Sequence, residues 1–241
     1  MSAFALAWEQ FLLERKLFWR NPSAAFFNFV LPLLLLVLVA SAFGSGSDEL
    51  EVLVPGIAGM SVMATTFTAL AYEMTFLREE GILKRVRGTP MPTASFVAGM
   101  VGSAVANAFV QVALVIAIGN LAYGVDWPAH PFALVGFTAL GVVCFGALGV
   151  AFSHAIPNVD SSPAYVNAVF LPLVFISGVF YSADSLPPVL EGMAEALPLK
   201  HLIDGLSYAV VGGGDTATAV VAVGGWTAAG LLLAVRFFRW S

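Results

Sequence analysis

The densest run of ionisable side chains is Phe76-Leu77-Arg78-Glu79-Glu80-Gly81-Ile82-Leu83-Lys84-Arg85-Val86-Arg87-Gly88-Thr89-Pro90-Met91-Pro92. Its residue types fit a polar reversal at a surface rather than a reaction centre. Charges of both signs flank a glycine and a closing Thr-Pro, and no nucleophile stands beside a base. Elsewhere the reactive groups are isolated. The sequence has no G-x-x-x-x-G-K-[ST] phosphate loop, no H-E-x-x-H and no G-x-S-x-G. Cys144, the one cysteine, sits in an apolar run with nothing to pair with. His130, His154 and His201 are distant from one another in sequence and imply no metal site.

The elements that carry these residues are set by composition. Hydrophobic residues make up 59% of the chain and charged residues only 10%, with a mean hydropathy of +0.91. A soluble domain carries about 25% charged residues, so lipid must be the solvent for most of this surface. A hydrocarbon core of roughly 30 Å takes about 20 helical residues to cross. Six stretches qualify, near 24–43, 52–76, 96–123, 132–152, 164–181 and 217–235. Turn-formers fill the gaps, among them Gly44-Ser45-Gly46, Thr89-Pro90, Trp127-Pro128 and Pro157-Asn158. The reading is an all-α integral membrane protein in one transmembrane domain, 1–241.

Basic residues orient it. Arg15, Lys16 and Arg20 precede the first span, Arg78, Lys84, Arg85 and Arg87 follow the second, and Arg236 and Arg239 follow the last. Nine of the ten Lys and Arg residues therefore share one face, with Lys200 alone on the other. The positive-inside rule makes that face cytoplasmic and puts both termini there, in a multi-pass protein of the plasma (inner) membrane. Residues 1–21 lack the apolar core of a signal peptide. They place Phe4, Trp8, Phe11, Leu12, Phe18 and Trp19 on one side of a helix that Asn21-Pro22 ends. This predicts an amphipathic elbow helix in the cytoplasmic interface, with Arg15 snorkelling toward lipid phosphates.

Inside the spans the polar groups are mostly neutral. Gly99, Ser103, Asn107 and Gln111 recur every fourth residue on the third span. Such a stripe either packs helices closely or lines a substrate path. Glu73, near the cytoplasmic end of the second span, is the nearest approach to an intramembrane charge. Secondary carriers usually need such buried charge, and an intramembrane enzyme or assembly factor of six spans would need a reactive cluster at membrane depth. Both remain rival readings.

A second informative stretch runs Phe175-Ile176-Ser177-Gly178-Val179-Phe180-Tyr181, then Leu186-Pro187, then Pro198-Leu199-Lys200-His201-Leu202-Ile203-Asp204-Gly205-Leu206. With the charged hairpin, in this order and spacing, it resembles the membrane subunits of type-2 ABC transporters, in particular short exporter permeases of the daunorubicin-resistance type. Tyr181 stands where that family often has Pro, and Ser207 and Tyr208 where many members have Arg. The resemblance implies a permease moving an amphiphilic substrate (drug, lipid or lipid-linked compound) outward, with resistance to drugs or antibiotics as one outcome. It implies no cofactor held by this chain, because ATP is bound by a separate ATP-binding cassette ATPase subunit. A second permease chain, identical or related, and membrane lipids complete the partners; nucleic acid is not among them. The loop 78–92 becomes the coupling element for the ATPase, through Arg78, Glu79, Glu80, Gly81, Arg85, Thr89 and Pro90. Residues 183–212 become an extracellular re-entrant hairpin that gates the pathway, with Ser177, Gly178, Phe180, Pro187, Pro198 and Asp204 as its marker residues.

Overall fold

A computed structural model describes residues 2–43, 48–89, 91–181, 187–213 and 216–237. Ser47, Pro90, Arg239 and the 183–186 part of the expected hairpin lie outside them. Every regular element among the described residues is helical.

Helix α1 (Ala3–Arg20) begins on Ser2, whose hydroxyl accepts from the Ala5 amide at 3.3 Å. It ends at Asn21, extended at φ −105° and ψ 92°, because the ring of Pro22 disfavours a helical residue before it. A short α2 (Pro22–Ala25) and a π-helical turn over Phe26–Val30 lead into α3 (Leu31–Phe43). Phe29 fastens this corner, with Trp19 stacked on its ring and Phe18 edge-on.

One helix runs through the middle of the bundle. It comprises α4 (Asp48–Met63), a π turn over Ala64–Thr68 and α5 (Ala69–Glu79), 32 residues in all. Asp48, Glu49 and Glu51 occupy its first turn, where carboxylates complement the helix dipole. Deeper in, the hydroxyls of Ser61, Thr65 and Thr66 donate to carbonyls one turn back, so they are buried without unmet hydrogen bonds. After α6 (Ile82–Arg87) comes the 31-residue α7 (Thr93–Tyr123). α8 (Pro131–Phe152) and α9 (Ser162–Ile176) follow, then α10 (Pro188–Glu195), α11 (Pro198–Val210) and α12 (Thr216–Phe237).

Two elements differ from the sequence reading. The first is α1, which runs side by side with the first half of α7 and in the same direction. Ser95 donates to the Ala3 carbonyl at 2.9 Å, Gly99 faces Ala7 and Gln10, and Arg15 donates to Asn107. Arg15 therefore turns inward to a protein acceptor instead of snorkelling to lipid. The exposed residues of α1 combine the apolar Phe4, Trp8, Leu13 and Leu17 with the charged Glu9, Lys16 and Arg20. The second is the fifth apolar stretch. Expected over 164–181, it is helical only as far as Ile176, because Gly178 adopts a positive φ of 77° and turns the chain. Its 15 residues reach about 22 Å.

By length and apolarity, four described helices suffice to cross a membrane: Asp48–Glu79, Ser95–Tyr123, Pro131–Ala155 and Thr216–Arg236. The apolar helices Phe26–Ala42 and Ser162–Ile176 are shorter. α11 is unusually deep for a segment outside these, with Leu199, Leu202 and Leu206 wholly buried against α4, α8 and α12. The turn after α9 is pinned by Gly56 of α4, where a Cβ would sit 2.0 Å from the Val179 carbonyl oxygen. Gly56→Ala must therefore push two backbones apart. It should destabilise the protein by about 1–3 kcal/mol, as overpacking does, and lower its melting temperature in detergent. Gly136→Ala, a helical glycine with open space around it, should leave the melting temperature unchanged or raised.

Candidate functional site at the α5–α6 reversal

The long central helix ends by projecting its last turn beyond the main core. Gly81 takes φ 66° and ψ 17°, the left-handed conformation that reverses the chain with least strain when no Cβ is present. The six-residue α6 folds back on a small second core of Leu70, Met74, Leu77, Leu83, Phe96 and Met100. Ile82 and Val86 pack against its edge. Alternation of apolar and basic residues in Ile82-Leu83-Lys84-Arg85-Val86 thus seats one side of α6 and leaves Lys84 and Arg85 exposed. Glu80 is exposed beside them. Thr89 closes the reversal: its hydroxyl donates to the Val86 carbonyl at 2.7 Å and accepts from the Met91 amide at 3.4 Å. Pro90 lies outside the described residues.

Arg78 and Glu79 join this loop to the next one on the same face, Ser153 to Ser161 between α8 and α9. Arg78 donates to the Ser153 carbonyl at 2.9 Å and to the Ile156 carbonyl at 2.5 Å. These carbonyls belong to the end of α8, a 3₁₀ turn over Ser153–Ala155, where the Ser153 carbonyl keeps one backbone bond, from the Ile156 amide at 3.3 Å. A guanidinium there satisfies them and also complements the negative helix end. Glu79 accepts from the Val159 amide at 2.5 Å. Arg78, half-buried, and Glu79, exposed, are thus tied to the α8–α9 loop, whereas Glu80, Lys84 and Arg85 are exposed with no hydrogen bond to another loop. Sequence reading placed all of them on one docking face and missed Ser153, Ile156 and Val159. Their signal was indirect: a helix end with no basic residue after it except His154, facing a loop rich in arginine.

The every-fourth-residue stripe of α7 is largely a packing seam. A Cβ on Gly99 would lie 2.5 Å from the side chain of Gln10. Asn107 accepts from Arg15, and Gln111 donates to the Phe29 carbonyl at 3.3 Å. Ser103 differs, being only 6% exposed and making no hydrogen bond among the described residues.

At the other end of the bundle, Ser177 and Gly178 are buried and Phe180 packs against the main core. Pro187 caps α10, and Pro198 opens α11 as its first residue. Asp204 pairs with Lys200 at 2.7 Å. Trp226 of α12, which the sequence did not single out, ties the two short helices to the last one by donating to the Ala196 carbonyl at 3.0 Å. A cavity of about 900 Å³ opens between α11 and α12, with Lys200, His201, Asp204 and Tyr208 on one wall. No group of three or more His, Cys, Asp or Glu side chains that could hold a metal occurs among the described residues.

A family model described as "ABC-2 type transporter" matches residues 2–211, which includes α1, both loops of the reversal and the α10–α11 pair. The chain belongs to the ABC-2 type transporter family. The ABC-2 chain is 29% identical over 184 residues to the inner membrane transport permease YadH of Escherichia coli K12, covering 74% of this chain and 70% of that protein. It is 24% identical over 219 residues to nodulation protein J of Neorhizobium galegae, covering 86% and 82%. It is 22% identical over 158 residues to the linearmycin resistance permease protein LnrN of Bacillus subtilis, covering 65% of this chain and 41% of that one.

In this ABC-2 permease, Arg78→Gln removes both charged donors from the end of α8. Hydrogen bonds to charged groups contribute about 1.5–3 kcal/mol each. Hydrogen exchange over 153–161 should therefore quicken by tenfold or more, while exchange in the α7–α8 core stays as in wild type. Unchanged protection of 153–161 would show that Arg78 is not what holds that loop.

Proposed function

We propose that this chain, a multi-pass membrane subunit of an ABC transporter, is the permease of an exporter, carrying an amphiphilic compound outward on ATP hydrolysed by a separate ATPase subunit. In this reading the two shorter apolar helices also lie in the membrane, giving six spans with both ends cytoplasmic. Two permease chains pair around the pathway, and the 187–212 hairpin closes its outer end. The observation that carries the proposal is the two-sided build of the α5–α6 reversal. Its inner side is glued to the bundle by the second core and by Arg78 and Glu79, and its outer side offers Glu80, Lys84 and Arg85 with no intramolecular ion pair among the described residues.

A loop serving only to fix topology needs basic charge but no rigid seat. A loop that transmits force needs both, because the push of a closing ATPase must reach the 32-residue central helix without being absorbed by bending. α6 meets that need as a short, seated lever. Similarity to LnrN, a linearmycin resistance permease protein, supports the export direction, and the apolar character of the bundle supports an amphiphilic cargo.

Charge reversal tests the reading. Glu80→Arg and Arg85→Glu alter only exposed side chains, so insertion and melting temperature should be retained. If those charges dock the ATPase, losing a desolvated pairing costs roughly 2–5 kcal/mol. Co-purification of the ATPase should then fall at least tenfold, and efflux of a fluorescent amphiphile from the same cells should stop. Wild-type efflux and retention in both variants would reduce the loop to a topogenic anchor.

A further inference from the structure

Between α1, the α2–α3 corner, α5 and α7 lies a cavity of about 260 Å³ that no part of the proposed transport cycle uses. Its polar lining includes Glu14, Glu73, Asn28, Ser103 and Asn107, and its apolar lining Leu17, Phe18, Leu70 and Met100. The lining holds two carboxylates and no cationic side chain. Glu14 takes one amide hydrogen, from Gln10 at 2.6 Å, and burial pushes its carboxyl above the usual range. Glu73 has no hydrogen-bond or ion-pair partner among the described residues. The nearby cation, Arg15, is already committed to Asn107 and lies over the Trp19 ring, with its guanidinium carbon 5.8 Å from the ring centroid.

Two further polar groups are left open in the same lining. The Ser103 hydroxyl is unpartnered although its residue is 6% exposed, and the buried Asn28 Oδ1 has no donor. Unmet buried acceptors beside carboxylates are costly unless something donates to them. Depth narrows the choice of donor. Glu73 lies six residues before Glu79 on the same helix, about 9 Å along its axis. That depth is the headgroup level of a cytoplasmic leaflet if the α5–α6 reversal stands at its surface, as the transport reading has it.

We propose that this cavity binds the primary ammonium head of an amphiphile, with Glu73 and Glu14 as counter-charges and Ser103 as a hydrogen-bond acceptor. An ammonium brings the positive charge that the lining lacks, with three N–H donors for its carboxylates and for Ser103. The apolar lining of Leu17, Phe18 and Met100 suits the first methylenes behind it. A resident aminophospholipid and a free amine both offer this group.

The test uses the purified full chain in phosphatidylcholine nanodiscs, without ATPase, so failure here leaves the transport reading standing. Dodecylammonium is added in one arm, its uncharged counterpart dodecanol in a second, and phosphatidylethanolamine replaces part of the lipid in a third. Melting temperature and intrinsic tryptophan fluorescence are read in each. A rise with dodecylammonium, or with phosphatidylethanolamine, that dodecanol does not reproduce supports the site and identifies its source. Glu73→Gln should weaken the half-saturating concentration at least tenfold, and Ser103→Ala should weaken it about threefold. Ser103→Ala is the smaller change, kept in case Glu73→Gln unfolds the chain. Equal responses to amine and alcohol, or amine binding that neither substitution affects, would overturn the proposal and leave a cavity filled by water.

Discussion

The α5–α6 end of this permease depends on one guanidinium. The end of α8 runs out of helical partners, and the central helix must stop and turn back at Gly81. Each is a weak point alone, one at a helix end whose carbonyls are short of helical partners and the other with a reversal hanging off the bundle. Arg78 resolves both by donating to Ser153 and Ile156, and Glu79 adds the Val159 amide. The two loops become a single platform. Without that link α6 would hold to the protein only through its small apolar seat, and a push on it would be spent in bending.

The remainder of the bundle is arranged so that the central helix can serve as a stiff rod. It is the most buried of the membrane-length helices, and small residues let its neighbours close on it. Gly59 meets Ile203, Gly119 of α7 meets Val54, and Gly149 of α8 meets the Phe67 backbone. In lipid, association has no hydrophobic drive between helices, so such close contacts and a few internal hydrogen bonds carry the packing. Pro55 and the π turn at Ala64–Thr68 interrupt the regular bonding of the rod, and the π turn sits beside Gly149.

Much of this was legible in the sequence because the bilayer imposes long, simple signals. Apolar length marked the helices, Asn21-Pro22 marked the first corner, and Gly81 with Thr89 marked the reversal. What stayed hidden were pairings between distant segments. Arg15 read as a snorkelling residue because nothing local shows that Asn107, 92 positions away, will lie beside it. Arg78 read as an outward docking charge because the carbonyls of α8 are invisible in a list of side chains. The end of α9 was placed at residue 181 because Ser177 to Tyr181 are compatible with lipid; only the fit of Val179 onto Gly56 shows why the helix stops at Ile176.

If the two loops form one platform, the distance between them must survive the transport cycle. Spin labels at Lys84 and Asp160, both exposed, report it by pulsed electron resonance in the transporter assembled with its ATPase. The account predicts one narrow distance, the same in the nucleotide-free and ATP-bound states, while the distance from residue 84 to its equivalent in the paired permease changes. A separation between residues 84 and 160 that broadens or shifts on ATP binding would contradict it, because the loops would then move independently.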